Sequence, residues 1–172
     1  MGTVNFKELE QLAGNGDVGA MYELGKAYFS GSGEVGQNYE KARGLFEAAS
    51  EKGNKGSNYY LGKIYYNGMG VQTNHLKAKE YFEKSANDKN VFSEFYLGKI
   101  YFWGDGGVGK DVNKANEYKL AISNNPLYKG LNEGLQDFYS EVDFEGKTEK
   151  CVGALKNKID NEYRRMFGNE EV

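Results

Sequence analysis

One short pattern occurs three times in the chain, and it limits the possible folds more than any other feature. The pattern is Leu-Gly-Lys, one apolar residue and then two aromatic residues. It appears as "ELGKAYFSGSGEV" from residue 23, "YLGKIYYNGMGV" from residue 60 and "YLGKIYFWGDGGV" from residue 96. The Leu-Gly pairs lie 37 and 36 residues apart, and a Lys-Ala pair recurs between them. Self-similarity at such a period is typical of proteins that stack one structural unit.

Each unit is predicted to be a helix, a glycine loop and a second helix. The first helix carries small or apolar residues at i, i+4, i+7 and i+8, the spacing of one helical face. A glycine follows each Leu in mid-helix, where it costs about 1 kcal/mol relative to Ala. We therefore expect a neighbouring helix backbone to approach there. Glycines able to adopt positive φ end the first helix, and an N-cap residue begins the second. These are Gly31, Gly68 and Gly104, followed by Asn38, Asn74 and Asp111.

The second unit, "SNYYLGKIYYNGMGVQTNHLKAKEYF", is similar to the motif of the Sel-one-like repeat family, a relative of the tetratricopeptide repeats. Asn74 stands where that motif usually has Asp, and Ser57 stands where it usually has Ala. The resemblance covers residues 13–125. It implies an all-α fold, a right-handed α-α superhelix (solenoid), whose members bind other proteins.

The repeats divide the chain into three predicted parts. Residues 1–14 form an N-terminal capping helix, and residues 15–126 contain three repeats. Residues 127–172 form a degenerate fourth repeat and a C-terminal capping helix, in which Lys150-Cys151 replaces the Lys-Ala pair. The polar stretch "KNKIDNEYRR" supplies the hydrophilic outer face that the end of a solenoid needs.

Composition argues against several classes of protein. The net charge of −3 and the pI near 5.4 give no sign of a nucleic-acid-binding protein. No apolar run approaches the roughly 18 residues of a membrane span. The opening "MGTVNFKELEQLAG" predicts a polar helix rather than a signal peptide. The expected location is thus cytoplasmic for the sequence as written, or periplasmic if a signal was removed.

Candidate catalytic groups are few. His75 is the one histidine, and no Asp or Glu stands at metal-ligand spacing from it, so we predict an exposed helix-start residue. Cys151 is the one cysteine in the sequence, so an internal disulfide is excluded. It stands at a position of the repeat that usually holds a small residue, which favours buried packing over a role as a nucleophile. The glycine loops follow helices and lack the Gly-Lys-Ser/Thr ending of a phosphate loop. We therefore expect no cofactor, metal site or catalytic residue.

A lysine follows each Leu-Gly pair and is flanked by aromatic residues at i−4 and i+3. It lies about 200° around the helix from the Leu, at 100° per residue. First helices line the concave surface in this superfamily, so the resemblance places these stripes in one groove. An alternative is that the rings pack between neighbouring first helices, with the lysine stems along them. The predicted partner-binding residues are Tyr22, Lys26, Phe29, Tyr59, Lys63, Tyr66, Phe95, Lys99, Phe102 and Trp103.

The predicted function is a non-enzymatic protein–protein interaction module that binds a partner protein in its concave groove. Aromatic anchors with basic groups between them favour an acidic or aromatic segment as ligand. One alternative, by analogy with bacterial relatives, is an immunity or inhibitor protein that occludes the active site of a secreted toxin. A weaker alternative is a cysteine-poor relative of Sel-one-like cell-wall or β-lactam enzymes, which the missing disulfides and nucleophile–base pair disfavour.

Overall fold

The computed structural model describes residues 6–31 and 35–123, and the regular structure in these ranges is helical. The predicted all-α fold is confirmed. The predicted fourth repeat and Cys151 lie outside the described residues. Among the helices in these ranges, none has the length and apolar character needed to cross a membrane. The helices are α1 (Phe6–Gly14), α2 (Val18–Ser30), α3 (Tyr39–Glu51), α4 (Gly56–Asn67), α5 (His75–Ala86), α6 (Val91–Trp103) and α7 (Val112–Ser123), with a 3-10 turn at Asp105–Gly107.

The helices pack as three antiparallel pairs stacked along the chain. Each first helix (α2, α4 and α6) packs on the second helix of its own repeat (α3, α5 and α7), and α1 packs on α2. Each of α3 and α5 also packs on the first helix of the following repeat. Nine residues of α4 are buried but only three of α5, so the first helices form the inner layer. This is the two-layer α solenoid expected from the sequence.

The glycine loops begin and end as the sequence predicts. The three glycines that end the first helices have φ values of 68°, 69° and 71°, in the left-handed region. The Asn74 side chain accepts a hydrogen bond from the Lys77 backbone N–H at 2.9 Å, and its own N–H donates to the Tyr65 carbonyl at 2.8 Å. Asn38 and Asp111 make the same two bonds in their repeats. Each loop is thereby fixed to both helices of its repeat.

The glycines in the middle of α2 and α4 each make room for an aromatic ring. A Cβ at Gly62 would lie 2.5 Å from the Phe82 ring, and one at Gly25 would lie 2.7 Å from the Phe46 ring. The expectation of an approaching helix backbone is thus wrong in detail, because the group that approaches is a side chain. The Phe82 ring is fully buried and stacks on Tyr96 of the next repeat, 4.6 Å between centroids.

The Gly62→Ala substitution tests this packing. The added methyl would displace the Phe82 ring, and overpacking of this kind costs about 1–3 kcal/mol, which outweighs the gain in helix propensity. The free energy of unfolding, measured by urea titration and circular dichroism, should therefore fall. Gly44→Ala in α3 is the control, since a Cβ there meets nothing within 4 Å. The control should gain up to about 1 kcal/mol. Equal stability of the two variants would contradict the assigned role of Gly62.

Candidate functional site

The three lysines of the inner layer differ in their exposure to solvent. They lie at equivalent positions of α2, α4 and α6. The side chain of Lys26 is 35% exposed and pairs with Glu23 at 2.8 Å. Lys63 is 0% exposed and Lys99 is 2% exposed. The structure therefore differs from the expected open groove in that two of the three lysines are buried.

Each buried lysine bridges two consecutive first helices by lying over aromatic rings. The Lys63 Nζ is 5.2 Å from the centroid of Phe29 on α2 and 5.6 Å from that of Tyr59 on its own helix. The Lys99 Nζ lies 5.6 Å from the Tyr66 centroid on α4 and 5.7 Å from the Phe95 centroid. A cation at this distance is attracted by the electron-rich ring face. The lysines and rings thus form one continuous set of contacts across the inner layer.

The rings that flank the lysines are buried between helices. Tyr22 is half-buried and lies 5.9 Å from Tyr60 of the next first helix, ring to ring. Trp103 is also half-buried, and its ring meets that of Phe102 edge-on at 4.8 Å. The solvent-accessible part of the inner face is therefore concentrated around α2. The remaining five predicted rings are buried: Phe29, Tyr59, Tyr66, Phe95 and Phe102.

His75 is not the exposed helix-start residue that the sequence predicted. Its ring is half-buried and stacks on Tyr66 with 4.8 Å between centroids. The Nε2 atom lies 3.1 Å from the Tyr66 carbonyl oxygen, which can only accept, so Nε2 carries the proton. A Cβ at Gly106 would lie 2.6 Å from the histidine Cβ, because the 3-10 turn of the next repeat packs there. In the described ranges, no cluster of three or more His, Cys, Asp or Glu residues could hold a metal ion.

A second periodic arrangement, which the sequence reasoning missed, links the second helices through the tyrosine of the repeat motif. The Tyr65 hydroxyl donates to Glu47 of α3 at 3.0 Å and accepts from Lys77 Nζ of α5 at 2.7 Å. This second hydrogen bond raises the pKa of Lys77 above its ordinary value of 10.5. The sequence does contain a signal for this arrangement, because a glutamate stands 18 residues before the motif tyrosine in each repeat. The equivalent pairs are Glu10 with Tyr28 at 3.3 Å and Glu83 with Tyr101 at 3.1 Å.

Comparisons with known proteins agree with the fold. The sequence profile described as "Sel1 repeat" matches residues 18–54, 56–90 and 91–118, which is more than half of the chain. The chain belongs to the Sel1 repeat family. Proteins with Sel1 repeats generally mediate protein–protein interactions, and the family is typically a non-catalytic scaffold.

Two solved structures with this architecture are similar to the Sel1 repeat chain. One is c5321, a protective antigen of uropathogenic Escherichia coli that displays an SLR fold, with a TM-score of 0.68 and 26% identity. That match covers 93% of this chain and only 32% of c5321. The other is a Sel1 repeat protein from Oxalobacter formigenes, with a TM-score of 0.62 and 27% identity over 68% of this chain and 88% of that one. No curated protein matches the sequence.

Substitutions of Lys63 test whether it belongs to the interior of the Sel1 repeats. Lys63→Glu places a carboxylate against the aromatic rings and should cost about 3 kcal/mol or more. Lys63→Met keeps the length of the side chain without its charge and should remain within about 1.5 kcal/mol of the wild type. Lys26→Glu, at the equivalent exposed position, should change stability by about 0.5 kcal/mol. Thermal and urea unfolding measure the stabilities of the three variants. Equal loss of stability in Lys63→Glu and Lys26→Glu would contradict the interior position of Lys63.

The Tyr65→Phe substitution tests the link between second helices. Loss of the hydroxyl leaves Glu47 and Lys77 without their shared partner and should cost about 1–2 kcal/mol. Tyr28→Phe is the matched control, because its hydroxyl makes only the longer bond to Glu10 and Lys41 contacts the ring alone. The control should lose about 0.5 kcal/mol. Urea unfolding measures both values, and an equal loss would argue against the three-residue link.

Proposed function

We propose that this Sel1 repeat chain is a non-enzymatic protein-binding module that takes an acidic, aromatic segment of a partner along its inner face. The observation that carries the proposal is the partly exposed pair of Lys26 and Tyr22 on α2, which stands at the open end of a lysine–ring series whose other lysines, Lys63 and Lys99, are buried. Such a surface offers positive charge for carboxylates and ring faces for aromatic side chains. Rings and cations of this kind dominate binding energy at protein interfaces.

The first repeat is the proposed entry point for the partner. Lys26 and Tyr22 are the most accessible of the lysine–ring pairs, and Lys26 already lies 4.8 Å from the Tyr22 centroid. An incoming carboxylate could replace Glu23 as the ion-pair partner of Lys26 at little cost, because an exposed pair of this type is worth at most about 1 kcal/mol. A partner aromatic side chain could then pack on the accessible edge of Tyr22.

The relatives support a bacterial setting without naming a ligand. The two solved structures come from bacteria, and one of them is a protective antigen present in uropathogenic Escherichia coli strains. We propose a bacterial partner on this basis. An adaptor and an inhibitor of a secreted toxin would use the same surface, so the identity of the partner distinguishes the two roles.

The Lys26→Glu variant tests the proposal without disturbing the buried part of the face. Wild-type chain and variant serve as baits, and the Kd of each captured protein is then measured with purified components by calorimetry. The charge reversal should weaken a partner bound at the inner face by about 10-fold, or 1.4 kcal/mol. Lys52→Glu is the matched control, since that lysine is exposed at the end of α3 and carries the same charge.

The possible results separate the alternatives. A partner that binds the wild type and the Lys52 variant equally, and the Lys26 variant weakly, supports the inner face as the site. A partner that binds all three chains with one affinity refutes it. If the partner is a secreted enzyme that loses activity in the complex, the inhibitor role is supported; a partner without such activity supports the adaptor role.

A further inference from the structure

Helix α1 takes the place that a second helix holds in the later repeats. It packs on α2 as α3 packs on α4 and as α5 packs on α6. The carbonyl of Leu12 accepts a hydrogen bond from the backbone N–H five residues on, and those of Ala49 in α3 and Ser85 in α5 do the same. In the part of the chain that the structure describes, no first helix precedes α1. The described array therefore begins with half a repeat.

Residues of α1 and α2 are more exposed than their equivalents in the later repeats. Leu12 is 41% exposed, whereas Ala49 and Ser85 at the same position of α3 and α5 are 0% and 1% exposed. Leu9 is half-buried, whereas the phenylalanines at its position in α3 and α5 are fully buried. Lys26 shows the same difference. Because α1 has the first helix that follows it but not one that precedes it, these side chains mark where the preceding helix would pack.

In the later repeats, the preceding first helix supplies a ring that covers the motif lysine. Phe29 of α2 lies over Lys63, and Tyr66 of α4 lies over Lys99. The same two rings meet the tyrosine before the Leu-Gly pair of the following helix, with 5.2 Å between centroids in both cases. In α2, an exposed glutamate, Glu23, stands in place of that tyrosine. The contacts that join one repeat to the next are therefore incomplete at α2.

We propose that the N-terminal face, formed by Leu9 and Leu12 of α1 with Tyr22, Glu23 and Lys26 of α2, binds an amphipathic helix of a partner protein. The helix would lie where the first helix of a preceding repeat would lie. The docking surface thus continues the interface that joins each repeat to its neighbour. This inference rests on the proposed function, because it uses the same lysine and tyrosine of α2 and adds the form that the bound segment takes.

The first helices show which side chains such a partner helix needs. Each of them carries aromatic residues at i and i+7 and a glycine at i+3. The ring at i+7 lies over the lysine of the following helix, and the glycine in α2 and in α4 gives room to a side chain of the second helix. Leu9 would fill the space at the glycine, and Lys26 would receive the ring. A tyrosine at i+7 suits this place, because its face attracts Lys26 and its hydroxyl can donate to Glu23.

A peptide that copies α4 tests the N-terminal face. The probe contains residues 54–69, with a hydrocarbon staple at positions 56 and 60, both of which face the preceding repeat in the chain. The staple removes most of the cost of forming an isolated helix. The Kd of the labelled peptide for the full chain is measured by fluorescence anisotropy. We expect saturable binding that the Leu12→Glu substitution weakens by about 10-fold or more.

Two controls separate the N-terminal face from general stickiness. Leu76→Glu changes a similarly exposed leucine on α5 and should leave the Kd within about 2-fold of the wild type. A stapled peptide with Tyr59→Ser and Tyr66→Ser lacks both rings and should bind wild-type chain about 10-fold more weakly or worse. This second control uses the wild-type chain, so it does not depend on how the Leu12 variant folds.

The inference is overturned if the peptide shows no saturable binding up to about 1 mM, or if loss of the two rings leaves its Kd unchanged. Sedimentation of the wild type and the Leu12→Glu variant tests a second copy as the occupant. A dimer that the substitution abolishes would assign the face to self-association and would also overturn the inference. The peptide assay involves no captured partner. Peptide binding with partners that ignore Lys26→Glu would refute the proposed function alone, and the reverse pattern would refute this inference alone.

Discussion

One contact, a buried phenylalanine ring seated on a helix glycine, sets the geometry on which the rest of the array depends. Phe82 occupies the space that a side chain at Gly62 would need, and its other face stacks on Tyr96 of the next repeat, within 5° of parallel. Phe46 does the same in the first repeat. A single ring thereby fixes the spacing of three helices. The third repeat has Lys119 at this position, so the series of stacked rings ends at α7.

The positions of the inner lysines follow from these ring contacts. Because the ring fixes the face that each first helix turns toward its second helix, a residue 200° away must point inward. Lys63 and Lys99 extend from this position over a ring of the preceding first helix. The cation–ring contacts are therefore a second tie between repeats, made on the side opposite the stacked phenylalanines.

Local features of the fold could be predicted from the sequence, whereas burial at a distance could not. Gly68 and Asn74 behave as predicted because helix ends are fixed by the residues next to them. The half-buried state of His75 was missed because its cover, the turn around Gly106, comes from the next repeat. The difference between Lys26 and Lys63 was missed for a related reason. A repeat pattern assigns both to one position, and exposure depends on where each repeat lies in the array.

The unequal burial of the three inner lysines determines which part of the inner face a partner could reach. Lys63 and Lys99 are buried against aromatic rings, and a partner could pair with them only if the neighbouring helices moved apart. Lys26 and Tyr22 remain partly exposed on α2. Because moving packed helices costs more than replacing an exposed ion pair, a partner of the proposed kind should bind α2 first. Its selectivity should then depend on the first repeat, where the motif lysine is least buried.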